Sequence, residues 1–361
     1  MTYRHQISRR ALLHTLAALP AARLLYGEQD QPPATFSAGV KVVNLLATVR
    51  DKKGEIVRDL NKEDFLLDEE GQTQIIRYFA RESNLPLTIG LLVDTSGSTR
   101  NVLPDERLAS LHFLQQVLRE DKDLAFVIHF DFEVELMQDL TSSRQKLEKA
   151  IEELQTSDGR RQLQQRQQGG GGYPGGGYPG GGYPGGGQRR GGGGTNMYDA
   201  VLLASDELMK KQSGRKALIL LTDGVDTGSK VSLPECVESA QRADTLVYSI
   251  LFEDPNMSYG YPGPMMGRRG GMGRPMPRMN QPDGRKVLQQ ISRETGGRFF
   301  EVSHKEPIQK IFSDIEEELR NQYNIGYTPE HTDTASGYRR IHLTTKQKGM
   351  VVQTREGYYP S

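Results

Sequence analysis

The segment Asp94-Thr95-Ser96-Gly97-Ser98 sets a carboxylate and two hydroxyls on alternate positions. All three are hard oxygen donors. A cation such as Mg2+ takes about six oxygens in octahedral array and keeps several of them as water. Gly97 allows a sharp backbone turn between the two serines, so that the oxygens can face one point. The preceding run, Leu87 to Val93, is nearly continuous apolar sequence, which fits a strand covered on both faces. The spacing therefore predicts a loop at the carboxyl end of a parallel strand, where open α/β sheets bind ligands. A competing reading has Asp94, Ser96 or Ser98 merely capping the helix that follows.

Other chemistries find little support. The seven histidines form no ligand spacing such as H-x-x-x-H, which argues against zinc. A magnesium phosphohydrolase using Asp94 as nucleophile usually carries a second Asp two residues on, and Ser96 occupies that position. There is no G-x-S-x-G elbow, Walker A loop or G-x-G-x-x-G after a strand. No catalytic residue is assigned. The balance of 46 Lys+Arg against 46 Asp+Glu argues against a chain devoted to nonspecific binding of nucleic acid or anionic membrane. The single cysteine, Cys236, excludes an intramolecular disulfide and reads as a structural thiol.

The elements needed to position the loop are legible as periodicities. After the strand at 87–93 comes a helical stripe of Leu108, Leu111, Leu114 and Leu118, then a buried strand at Leu124 to Ile128. Leu147, Ala150, Ile151 and Leu154 mark another helix, and Tyr198 to Met209 a further one. Strand patterns at Ala217 to Leu221, Leu246 to Leu251 and Arg298 to Val302 alternate with helical patterns at Cys236 to Ala243, Val287 to Ile291 and Ile308 to Leu319. Such alternation predicts an α/β fold with a doubly wound, mostly parallel sheet.

Asp-x-Ser-x-Ser after a buried strand resembles the opening of the metal-ion-dependent adhesion site of von Willebrand factor type A (VWA) domains. That family places a Thr in a loop just before a helix, and Thr195 matches it. It places an Asp after a later buried strand, usually within Thr-Asp-Gly, and Thr222-Asp223-Gly224 matches it. The resemblance covers about residues 83–321. It implies that Ser96 and Ser98 bind the metal directly and Thr195 directly or through water. Asp94 and Asp223 would act directly or by hydrogen-bonding coordinated waters. The implied ion is Mg2+ or Mn2+, and an acidic side chain of a protein partner would fill its open position. Too few protein charges saturate the ion, so an external anion gains from completing the shell. Asp131 and Asp226 fall near the same face and read mainly as solvated loop acids, the alternative being that they support the metal ligands from behind.

The flanks are short β patterns, at 36–82 and 322–361. Each is too small to bury a core alone. They are predicted to pack together as one small β-sandwich, with the α/β domain inserted between them. The Phe65 stretch and the closing Arg355-Glu356-Gly357-Tyr358-Tyr359 are similar to bacterial VWFA-related proteins of the kind abundant in acidobacteria, a likeness that implies location and architecture more than activity.

Residues 1–27 read as an export signal, since Ser8-Arg9-Arg10 followed by a short apolar run resembles a twin-arginine signal. That predicts a periplasmic or extracellular protein. No stretch is apolar enough for a transmembrane helix. Two inserts, 160–194 with its Tyr-Pro-Gly-Gly-Gly repeat and 255–283, rich in Gly, Met, Pro and Arg, are predicted to be disordered loops. Their arginines would draw acidic partners to the metal face, or the inserts are tolerated surface additions. Binding of single-stranded nucleic acid through the Arg/Gly/Tyr segments is a further alternative, disfavoured by export.

Overall fold

The computed structural model describes residues 42–82, 85–156, 194–252, 283–329 and 337–360. The export signal lies outside the described residues, as do 157–193 and 253–282, which hold nearly all of both inserts.

In chain order the strands are β1 (Val43–Arg50), β2 (Phe65–Glu69), β3 (Gln72–Thr73), β4 (Ile76–Glu82), β5 (Leu87–Asp94), β6 (Leu124–Phe130), β7 (Val134–Thr141), β8 (Arg215–Thr222), β9 (Leu246–Leu251), β10 (Phe299–Glu301), β11 (Gln322–Tyr327), β12 (Arg339–Thr345), β13 (Val351–Gln353) and β14 (Gly357–Tyr358). The α-helices are α1 (Leu103–Val117), α2 (Arg144–Glu152), α3 (Met197–Leu203), α4 (Leu233–Arg242), α5 (Gly284–Thr295) and α6 (Ile308–Arg320).

The central sheet has the order β10-β9-β8-β5-β6-β7. Its first five strands pair parallel, and β7 closes one edge antiparallel to β6. Alternate side chains enter two separate cores. Ile89, Leu91, Val127, Ile219 and Leu221 meet α1, α2 and α6 through Phe113, Ile151 and Ile311. Leu92, Phe126, Ile128, Leu218 and Leu220 meet α3, α4 and α5 through Ala200, Cys236 and Ile291. Both faces being covered explains why β5 and β8 are buried at every position and are apolar along most of their length rather than alternating. Cys236 lies within the second core, where burial, then the charges of Asp226 and Asp199, push its thiol up. It is therefore a protonated packing group.

The two flanking segments build a sandwich. One sheet runs β13-β1-β11-β4 and the other β14-β12-β2-β3, so each mixes strands from both ends of the chain. Register is fixed by β1 against β11, with Leu45 opposite Ile325, and by β2 against β12, with Leu67 opposite Leu343. Phe65, Leu67, Tyr323, Ile325 and Tyr358 share its core, and the rings of Phe65 and Tyr323 meet edge-on at 5.3 Å. β4 leads into β5 and α6 leads into β11, so the α/β unit is inserted between the halves of the sandwich. Buried Glu318 of α6 accepts hydrogen bonds from Arg50 of β1 at 2.5 Å and from Arg298 at 2.8 Å, joining the two parts. Arg355 adds a second tie, donating to the Asn44 carbonyl at 2.8 Å and to Asp244 at 3.0 Å.

Three local expectations need correction. The expected Leu108 stripe is not the core face of α1. Leu108 is 65% exposed, and the helix buries Leu103, Glu106, Ala109, Ser110, Phe113, Leu114 and Val117 instead. Within the β pattern at 36–82, Ile56 makes only an isolated bridge to Arg50 and forms no strand. The edge strand β7, whose residues are half-buried or exposed, shows no strong alternation and was not anticipated.

Candidate metal centre

Asp94 is the last residue of β5, and the chain leaves the sheet through Thr95 and Ser96 into a helical turn at Gly97–Thr99. Gly97 opens this turn without a positive φ. The loop folds back on Asp94. The Ser96 backbone N–H donates to Asp94 Oδ1 at 2.9 Å, and the Thr99 hydroxyl donates to the Asp94 carbonyl at 2.8 Å. Ser96 and Ser98 are thereby brought to one place, where their hydroxyls share a hydrogen bond of 2.8 Å. Both are half-buried, while Asp94 beneath them is fully buried.

Strand pairing brings the second loop alongside. β5 and β8 run parallel with Val93 opposite Leu221, so Thr222-Asp223-Gly224 leaves the sheet beside Asp94. The Thr222 hydroxyl donates to Asp94 Oδ2 at 2.7 Å. Asp223 is half-buried and turns its own loop, its Oδ1 accepting from the Val225 N–H at 3.0 Å. Burial, and then the charge of Asp223, push the Asp94 carboxyl up to about 7, even though the bonds from Thr222 and Ser96 pull it down. Desolvation and repulsion thus both disfavour the charged form of Asp94.

Thr195 precedes α3 and is half-buried. It is tied to the second loop: its N–H donates to Thr227 Oγ1 at 3.2 Å, and its carbonyl accepts from the Thr227 and Gly228 N–H groups at 3.1 Å. Asn196 holds the other side, donating from its N–H to the Asp131 carbonyl at 2.8 Å and from Nδ2 to the Phe132 carbonyl at 2.7 Å. Asp94, Ser96, Ser98 and Asp223 are therefore brought together directly, and Thr195 joins them through the loop at 223–229.

Two acids differ from their sequence reading. Asp226 is an organiser of loops rather than a solvated acid. Its Oδ2 accepts from the Tyr198 N–H at 3.0 Å, at the start of α3, and from the Ser229 hydroxyl at 2.6 Å. Asp131 is 1% exposed, and its Oδ1 accepts from the Glu133 N–H at 3.0 Å. Their signal in the sequence was only position after a strand, which does not separate a cap from a solvated group.

Both undescribed inserts rejoin the described chain beside these residues, one at Gly194 and one at Asp283. Gly224 has φ +79°, and a Cβ there would lie 2.6 Å from the Gly284 carbonyl oxygen. The loop of Asp223 and the first turn of α5 are thus in backbone contact. Among the described residues, no group of three or more His, Cys, Asp or Glu converges to hold a metal ion. A site here is one of hydroxyls and two carboxylates, not a carboxylate cage.

Residues 187–314 match the family model of the von Willebrand factor type A domain. Residues 187–314 belong to a von Willebrand factor type A domain. The matched span of the VWA domain contains Thr195 and Asp223; Asp94, Ser96 and Ser98 precede it in sequence, Asp94 ending the strand paired with β8 and the two serines lying in the loop that follows. Among solved structures the chain is similar to a von Willebrand factor type A protein from Catenulispora acidiphila, at 11% identity and TM-score 0.44, covering 88% of this chain and 73% of that one. It is similar also to proximal thread matrix protein 1 of the mussel byssus, at 15% identity and TM-score 0.43 over 70% of this chain. The match spans 51% of the byssus protein. BatB from Bacteroides thetaiotaomicron is 17% identical with TM-score 0.42, covering 65% of this chain and 97% of its own. No curated protein matches the sequence. No described helix is long and apolar enough to cross a membrane.

Proposed function

We propose that this protein binds a protein partner through a divalent cation, Mg2+ or Mn2+, held at Asp94, Ser96, Ser98, Thr195 and Asp223. The observation that carries the reading is the pair of Ser96 and Ser98 hydroxyls, 2.8 Å apart and half-exposed above the buried Asp94 carboxyl. The donor set fits a hard cation: oxygen only, with two carboxylates, Asp94 and Asp223, whose mutual repulsion a cation would relieve. A bound cation would supply Lewis acidity toward one incoming carboxylate, and the partner is accordingly acidic. The chain's own part is to fix the donors, through Thr222 and Thr99 on Asp94 and through Thr227 on Thr195. The reading is of a binding module rather than an enzyme. Ser96 stands where a phosphohydrolase would place its second acid. Export to the periplasm or beyond belongs to the same proposal and rests on the Arg9-Arg10 segment.

Calorimetric titration of Mg2+ and Mn2+ into the full chain, beside Asp94→Ala and Thr195→Ala, tests the site. One ion bound by the wild type and weak or absent binding by both variants is the expected result. Equal binding by all three proteins overturns the assignment of these residues.

A further inference from the structure

One titratable side chain of the core is unexplained by packing. Glu106 lies in the first turns of α1, twelve residues after Asp94, on the face that buries Leu103, Ser110, Phe113 and Val117. It is 0% exposed. Neither of its carboxylate oxygens has a hydrogen-bond partner among the described residues. A buried carboxyl without a partner opposes folding, because nothing replaces the water it gave up. The groups that act on it identify its surroundings. Burial raises its pKa most, and then come the charges of Asp94, Asp223 and Asp105, in that order. The first two are the carboxylates of the candidate metal centre. Glu106 is thus a fully buried, unpartnered carboxyl on α1, the helix that follows the Asp94 loop, near enough to Asp94 and Asp223 to feel the charge of both.

We infer that Glu106 is a buried positioning and charge-balancing residue of the metal centre, which holds the hydrated cation from the α1 side without ligating it directly. The inference rests on the metal-binding reading above. Direct ligation is disfavoured because Asp94, Asp223 and Glu106 do not converge as a three-acid cage among the described residues. A cation held at Asp94 and Asp223 would offset the repulsion that these carboxylates exert on Glu106, and a nearby carboxylate that is not a ligand can accept hydrogen bonds from the waters of the ion. Outer-shell groups of this kind commonly contribute about 10–100-fold to metal affinity.

The test uses the full chain and two readouts, Mn2+ affinity by calorimetry and the midpoint of thermal unfolding with and without Mn2+. Glu106→Gln keeps the shape and removes the charge. Its affinity is expected to fall about 10–100-fold, with an unfolding midpoint in metal-free buffer equal to or above that of the wild type. Glu106→Asp keeps the charge and is expected to bind more tightly than Glu106→Gln, which also covers the case in which the amide variant folds poorly. Asp105→Asn, an equal change of charge at an exposed position of the same turn, is expected to bind within about threefold of the wild type. The inference is overturned if Glu106→Gln binds Mn2+ as the wild type does, whatever its stability, or if Asp105→Asn loses as much affinity as Glu106→Gln. If the wild type itself binds no ion, the metal-binding reading falls and this inference with it; normal binding by the wild type and by Glu106→Gln removes the role of Glu106 alone.

Discussion

The Thr222 hydroxyl donates to Asp94 Oδ2 at 2.7 Å, across the pairing of β5 with β8. The same hydroxyl oxygen accepts from the Gly224 N–H at 3.1 Å. One side chain therefore sets the orientation of the buried carboxylate and the path of the loop that carries Asp223. Thr222→Val keeps the volume and deletes both bonds. It is expected to lower stability by about 1–3 kcal/mol, since Asp94 and a buried N–H each lose a partner. Mn2+ affinity should fall about tenfold or more, as for other outer-shell changes. Chemical unfolding and calorimetry on the same preparation measure the two effects, and an unchanged affinity would show that Asp94 is held without Thr222.

Gly224 adopts φ +79° in contact with Gly284. Gly224→Ala places a Cβ against the Gly284 carbonyl and in a backbone region that disfavours it. A loss of about 1–3 kcal/mol is expected, together with weaker metal binding, because the loop of Asp223 must move or α5 must yield. Crystallography of the variant would locate the shift.

Asp226 joins the start of α3 to the loop following Asp223 through Tyr198 and Ser229. Asp226→Ala is expected to cost about 1–2 kcal/mol from the loss of charge-assisted bonds. It should weaken metal binding less than Thr195→Ala does, because Asp226 positions Thr195 from a distance. A reversed order of the two variants in calorimetry would move Asp226 into the centre itself.

Asp123 shows how the far end of the sheet is secured. It is fully buried and accepts bonds from Arg119 Nε, Arg320 Nη2 and the Leu87 N–H, each at 3.0 Å. Burial alone pushes its carboxyl up, but the bonds from Arg119, Arg320 and Leu87 outweigh it and leave the group below its ordinary value of 3.8. A depressed pKa means that the unfolded chain binds the proton first. The stabilisation is therefore complete above the ordinary value of 3.8 and is lost as pH falls below it. Asp123→Asn is expected to be less stable than the wild type at neutral pH by about 1–3 kcal/mol. The gap should narrow as pH drops from about 5 to about 3, a convergence that urea unfolding across that range would detect.

The core face of α1 gives a direct contrast. Leu108, 65% exposed, should tolerate replacement by Gln within about 0.5 kcal/mol. Phe113 is 1% exposed and stacks on Phe312 at 4.6 Å, so Phe113→Ala should cost about 3–5 kcal/mol. Thermal unfolding of the pair would show whether the helix is oriented as described.

The sequence by itself determined a good deal. A nearly continuous apolar run at 87–93 and an unbroken one at 217–221 identified strands covered on both faces, because such strands meet no solvent that would impose alternation. Ser96 and Ser98 stood at an element end that local pattern locates, Thr195 and Asp223 were singled out by the family resemblance, and the pairing of the two short β flanks followed because neither could bury a core alone. Tertiary structure decided the rest. Which face of α1 is buried depended on α6 and the sheet, not on the spacing of Leu108, Leu111, Leu114 and Leu118, since a leucine-rich helix offers more than one apolar stripe. The edge strand β7 is held by its ladder to β6 rather than by burial, so hydrophobic periodicity was silent about it. Glu106 and Asp226 gained their places only when β5, β8, α1 and α3 were brought together, because a carboxylate's role is set by the groups that share its cavity, and these lie far apart in the chain.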